Sequence, residues 1–289
     1  MRKAGVLPAR NDVSYRQAVL ADSRVTFLPV RRFGDTSRRD GWWVPSLATF
    51  LGFSAFIVYA TWAAFQNADY EFGPYLSPFY SPLLFGASPH SWFGGPDTPT
   101  WWPTALPYTA AALILWGPVG FRFTCYYYRG AYYKAFWADP PGCAVGEPRK
   151  RYWGERWFPL ILQNVHRYFL YVAIAFVVIL AYDAWVALWF EASVTGQRQF
   201  GIGVGTLVLI TNVVLLGGYT FGCHSLRHLI GGGRDVLASR PVQKRAYDCV
   251  TCLNRRHMLW AWVSLVWVGF SDFYVRMCAL GIWHDYRLF

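Results

Sequence analysis

Cys249-Val250-Thr251-Cys252 is a C-x-x-C pair, and His224 and His228 form an H-x-x-x-H pair shortly before it. The C-x-x-C spacing lets two thiolates grip one metal ion from a turn or a first helical turn. Histidines four apart share one helix face, so both imidazoles can reach the same ion. The short connection 230–248 lets the two pairs meet as a Cys2His2 set: His224, His228, Cys249 and Cys252. Two centres fit such a set. Zinc takes it tetrahedrally as a structural site. A Rieske-type [2Fe–2S] cluster takes two Cys on one iron and two His on the other. Rival ligands stand nearby. Cys223 with His228 and Cys252 with His257 would give one Cys and one His from each helix, and Cys125 and His166 are further candidates. The cytoplasmic-side histidines all lie at one end and the first two spans carry none, so one bis-His haem b is possible, using His166 with His224 or His228.

These residues need elements to carry them. The 289-residue chain is 55% hydrophobic, 20% aromatic and 15% charged. Soluble domains carry roughly 25% charged residues, and the mean hydropathy here is +0.21. The aromatic content excludes intrinsic disorder. Six cysteines are too dilute for a disulfide-built scaffold. The pattern is that of an all-α integral membrane protein. Stretches of about 20 apolar residues mark spanning helices, and five are predicted, at about 44–65, 104–124, 168–190, 200–226 and 258–280. A basic tail, 1–43, precedes a five-helix transmembrane domain, 44–289.

Lys and Arg set the orientation. The tail carries 9, residues 122–167 carry 8, residues 227–256 carry 7, and the rest of the chain carries 3. Basic residues collect on cytoplasmic loops, so the N-terminus is predicted cytoplasmic and the C-terminus outside. This explains the net charge of +11 without a nucleic-acid partner. It also places nine of the twelve Cys and His residues at the cytoplasmic face, leaving only His90, Cys278 and His284 outside. Residues 66–103, rich in Pro, Gly, Ser and aromatics, are predicted to coat the outer surface as an interfacial cap. Asp183, Asp272 and Arg276 are the charges within spans, and Asp272 and Arg276, four apart, should pair near the outer interface.

Two short motifs carry a family resemblance. Gln163-Asn164-Val165-His166-Arg167 opens the third span, and Ser225-Leu226-Arg227-His228-Leu229-Ile230 closes the fourth. Over about 160–282 the chain resembles a membrane anchor of succinate dehydrogenase, respiratory complex II. That family opens one helix with S-x-x-H-R and closes the next with G-I-R-H. Gln163 stands at the family's quinone-contacting Ser, Ser225 at its Gly, Gly232 at its Asp, and Phe221 at its haem-ligand His. The last difference removes the usual haem b ligand, so the resemblance is to the haem-free mycobacterial-type class with a Rieske-type cluster. It implies a flavoprotein subunit and an iron–sulfur subunit docked on the cytoplasmic side of the plasma membrane. The anchor would have no succinate-oxidising site of its own. It would pass electrons to menaquinone or ubiquinone near that face, in complexes that can associate further. Quinone reduction needs donors to both carbonyls. The candidates are Gln163, His166 and Arg167, with Tyr128 and Trp157 walling the ring. Two other readings stand beside this one: a five-helix cytochrome b anchor of another respiratory oxidoreductase, and a zinc-stabilised membrane scaffold.

Overall fold

The computed structural model describes residues 32–289 apart from 104, 140, 150–155, 159, 192–196 and 235. Most of the basic tail therefore lies outside the described residues. Its last part, from Gly34, is pinned along 143–146: Gly34 N–H donates to Gly146 O at 3.0 Å, and Gly146 N–H donates to Asp35 O at 2.9 Å.

Four described helices are long and apolar enough to cross a membrane. They are α1 (Val44–Gln66), α5 (His166–Val186, extended to Ile161 by a 3-10 turn over Leu160–Val165), α6 (Val204–Phe221) and α9 (His257–Ala279). Their outward faces are apolar: Val58 on α1, Val178 on α5, Val214 on α6 and Val266 on α9 are all exposed. Buried positions include polar ones, such as Asn212 and Ser264. A helix apolar all round suits lipid on one side and a packed bundle on the other.

The second predicted span, 104–124, does not form one long helix. It begins at Ala110 and divides into α2 (Ala110–Ile114) and α3 (Trp116–Thr124). Pro118 is the physical reason. It lacks an N–H, and its ring clashes with the carbonyl four residues back, at Ile114. At ~1.5 Å per residue, the pair spans roughly 22 Å, short of a ~30 Å hydrocarbon core. The chain continues as α4 (Tyr126–Ala131) and a π-helical turn, Tyr132–Trp137. The fourth span is shorter than its apolar run predicts. It ends at Phe221, and a separate helix α7 (His224–Gly231) follows, with α8 (Pro241–Asn254) in place of a simple loop. Pro241 opens α8, its fixed φ suiting the first helical position.

Glycines let α3 and α6 approach their neighbours. A Cβ at Gly120 would run into the Phe169 ring of α5, and one at Gly218 would lie 2.7 Å from Trp260 Cε3 of α9. Close backbone approach at small residues is a common device for packing helices in lipid.

The segment after α1 is only partly a surface coat: most of 84–103 is exposed or half-exposed, but 75–83 is buried. Its hairpin, β1 (Glu71–Phe72) with β2 (Tyr75–Leu76), leads into the core, where Tyr75, Ser77, Tyr80 and Leu83 are wholly buried. Three buried or half-buried carboxylates hold this segment and the C-terminus. Asp272 accepts from Tyr59 Oη at 2.6 Å and from Ser77 Oγ, and pairs with Arg276 Nε at 3.5 Å. Asp183 accepts from Ser81 Oγ. Asp285 accepts from Tyr75 Oη and Tyr274 Oη, both at 2.7 Å. A second hairpin, β3 (Trp189–Glu191) with β4 (Arg198–Phe200), joins α5 to α6 at the same end. The basic segments lie at the opposite end, with the N-termini of α5 and α9.

Candidate metal centre

The predicted Cys2His2 set is not assembled. His224 and His228 do meet, with their Nε2 atoms 3.0 Å apart on the exposed face of α7. His224 is held below the ordinary imidazole value, first by burial and then by the neighbouring His228 and Arg227. Cys249 and Cys252, however, are exposed in the second half of α8, not at a turn. Helix α8 meets α7 through Gln243, Tyr247 and Thr251, which contact Ile230 and Arg227. At 100° per residue, positions 249 and 252 fall on the opposite side of α8. Among the described residues, no three His, Cys, Asp or Glu side chains are placed to hold a single ion.

The rival residues are the ones brought together. Cys125 caps the end of α3 in extended conformation, and Cys223 occupies the N-cap of α7 in the same conformation. Cys125 is thus a one-residue break between two helices, and Cys223 with Gly222 a two-residue one. His166 and His257 are the first residues of α5 and α9. His166 Nε2 lies 3.2 Å from Cys223 Sγ, and His257 Nε2 lies 3.8 Å from Cys125 Sγ. Both thiols are buried in one apolar cluster with Phe121 and Tyr219. Phe121 stacks on His166 with centroids 4.6 Å apart, and Tyr219 stacks on His257 at 5.1 Å. The two rings meet edge-on at 5.3 Å, which ties the pairs into one unit.

The tautomer of His166 follows from the network. Thr124 Oγ1 donates its single proton to Gly120 O at 2.7 Å, so at 2.9 Å it accepts from His166 Nδ1–H. The lone pair is then on Nε2, aimed at the Cys223 sulfur. Metal-bound histidines are held in this way by an outer partner on the other ring nitrogen. His257 Nδ1 is buried without a partner. Burial pushes the Cys223 thiol up from its ordinary value, while the Ser225 backbone N–H at the start of α7 works in the other direction. Such a thiol is reluctant to ionise on its own, and a bound cation would reverse that preference.

The quinone candidates divide. Gln163 is buried, and its Oε1 has no partner. Arg167 and Trp157 are exposed on either side of it in sequence, Trp157 just before the 3-10 turn and Arg167 on α5. His166 is drawn instead to Cys223 and Thr124. Tyr128 is fully buried; its hydroxyl donates to Ala261 O and accepts from Arg122 Nη1 at 2.9 Å. It serves the packing of α4 on α9 and walls no open pocket. An apolar cavity of about 120 Å3 lies beside Phe121, Arg122 and Tyr219, smaller than the roughly 300–1,000 Å3 of ordinary ligand pockets. Local spacing gives no sign of the Cys125–His257 contact, which joins residues 132 positions apart. The one usable signal is that both cysteines end apolar stretches at the basic face.

A family model for actinobacterial succinate dehydrogenase subunit SdhC matches residues 44–281. Among solved structures, the chain is similar to one from the Mycobacterium smegmatis Sdh1 complex in the apo form. The two are 41% identical with a TM-score of 0.79, over 92% of this chain and 97% of that one. Among curated proteins none matches. Four spanning-length apolar helices, a buried Cys–His centre at their basic end and a match over most of the chain agree: this protein belongs to the actinobacterial SdhC family of succinate dehydrogenase membrane anchors.

Proposed function

We propose that this anchor delivers electrons from a soluble iron–sulfur partner to a membrane quinone, and that Cys125, Cys223, His166 and His257 hold a Rieske-type [2Fe–2S] cluster. The carrying observation is the convergence of two thiols and two imidazoles in one buried aromatic unit. The donor set fits such a group in number and kind. The two contacts each pair one thiol with one imidazole. A bound cluster supplies a one-electron centre whose two imidazole ligands raise its potential above that of thiolate-only clusters.

The chain's own residues prepare that site. Thr124 fixes the tautomer of His166, and Phe121 fixes its ring plane. Tyr219 does the same for His257. Burial of both cysteines keeps water from the ligands. Quinone reduction consumes two electrons and two protons, and Gln163 and Arg167 are suited to the receiving end. The Gln163 amide donates to a carbonyl and its free Oε1 accepts from the hydroxyl that replaces it. Exposed Arg167 stabilises negative charge on the oxygen. Gln163 stands three residues before His166 and Arg167 directly after it, so the receiving end adjoins the centre. The basic segments face the cytoplasm in this reading, where soluble subunits dock, and α2–α3 forms a fifth, broken crossing of the plasma membrane.

Both ring nitrogens of His166 are engaged and Phe121 covers one of its faces, while His224 and His228 contact each other. This arrangement favours the cluster over a haem between His166 and α7.

Low-temperature EPR of the dithionite-reduced whole complex, beside its visible spectrum, tests the reading. A signal of low average g without a haem band from the anchor is expected; a haem band with no such signal overturns it. Thr124→Val should lower cluster occupancy, since loss of an outer partner costs roughly 10–100-fold in metal affinity. Iron content per complex and spin quantitation check it.

A further inference from the structure

Arg122 is a cation without an anion. It stands in the last turn of α3, at the basic end of the bundle. Its guanidinium donates to Tyr128 Oη at 2.9 Å, Ala261 O at 3.2 Å and Ser264 Oγ at 2.9 Å, all neutral acceptors. Its fourth neighbour is the face of Tyr219, whose centroid is 4.7 Å from Cζ. Among the described residues, no carboxylate pairs with it. Arg276, at the other end of the bundle, shows the contrast, since it sits against Asp272. Ionisable groups within membrane bundles are costly and usually paired, so an arginine with neutral partners only is electrostatically incomplete.

The direction of the incompleteness is specific. Tyr219 is sandwiched between the Arg122 guanidinium and the His257 ring, which it stacks at 15°. Tyr219 is 1% exposed and lies in the same cluster as Cys125 and Cys223, with its hydroxyl hydrogen-bonded to the Cys125 thiol. A fixed cation and an O–H donor thus stand beside the thiol–imidazole unit. Any centre that accepts an electron there gains one unit of negative charge. A cation held nearby in a poorly screened interior stabilises that charge. Potentials of iron–sulfur centres respond to charge and to hydrogen bonds at their sulfurs.

We infer that Arg122, positioned through Tyr219, sets the reduction potential of the redox centre held by Cys125, Cys223, His166 and His257, favouring its reduced form. This rests on the cluster reading above. Arg122 is a positioning and charge-supplying residue here; it touches neither the ligating atoms nor the quinone.

The test is an EPR-monitored redox titration of the whole complex carrying the wild-type anchor, Arg122→Gln, Arg122→Lys or Tyr219→Phe. Arg122→Gln should lower the midpoint potential by about a tenfold change in the reduction equilibrium, about 59 mV for one electron. Arg122→Lys, which keeps the charge but not the planar stack, should shift it less, and Tyr219→Phe should lower it through loss of the hydroxyl donor. If Arg122→Gln fails to assemble, the other two variants carry the test. An unchanged potential with the signal intact overturns the inference alone. Absence of the signal in wild type overturns the cluster reading beneath it. A merely structural Arg122 would reduce the yield of complex and leave the potential of the assembled fraction where it was.

Discussion

Replacing His166 and His257 together by alanine should abolish electron delivery to quinone while leaving succinate oxidation with a soluble artificial acceptor intact. Both imidazoles are the first residues of spanning helices, and each points its Nε2 at a buried thiol. Losing both leaves two cysteines, which cannot hold a cluster of this kind. The loss should exceed the roughly 10–100-fold cost of removing an outer-shell partner, so the low-g signal disappears altogether. In this reading succinate oxidation resides on another subunit of the complex and is read separately. The informative control is His224→Ala with His228→Ala. Those two imidazoles meet each other on an exposed face. Quinone reduction that survives this control but not the first pair assigns the ligands to the buried set. The reverse result would return them to α7.

The second large effect lies at the far end of the bundle. Arg276→Met alone should remove most folded anchor from the membrane. Arg276 is 1% exposed and Asp272 is fully buried. Breaking a buried ion pair on one side costs about 3–5 kcal/mol, because the remaining charge is stranded. That is a large fraction of the roughly 5–15 kcal/mol by which proteins are stable. Arg276 also donates to Ala68 O at 2.7 Å and to Ala63 O at 3.3 Å, so the end of α1 loses its tie as well. Asp272→Leu combined with Arg276→Met should be less damaging than the two single losses added together, since no charge is then left alone. Thermal unfolding of the complex in detergent measures both. Equal damage in the single and double variants would show that the hydrogen bonds to α1, rather than the charge, dominate.

Much of the frame is legible in the residues. The long apolar runs mark α1, α5, α6 and α9, and the i,i+4 spacing of Asp272 and Arg276 marks their pairing. The division of the second apolar run into α2 and α3 has its sign too, in Pro118. The centre is less so. Cys249-x-x-Cys252 stands out because its spacing is local, yet Arg240-Pro241 is a helix-start signal that places both cysteines within α8. Helical geometry then turns them away from α7. Cys125 and Cys223, taken singly, have the profile of small buried residues. What distinguishes them is that each lies in a break of one or two residues between helices, and that property arises from tertiary packing. The contacts from Cys125 to His257 and from His166 to Cys223 cross between elements far apart in sequence. No local pattern encodes them.

The carboxylate clasps at the end away from the Cys–His contacts carry a consequence for biosynthesis. Tyr59 and Ser77 precede Asp272, Ser81 precedes Asp183, and Tyr75 precedes Asp285. As the chain emerges, every one of these acidic groups enters a bilayer that already contains the hydroxyl waiting for it. The residues 70–83 are thus a prefabricated socket, laid down first, into which α5, α9 and the C-terminus are received in turn.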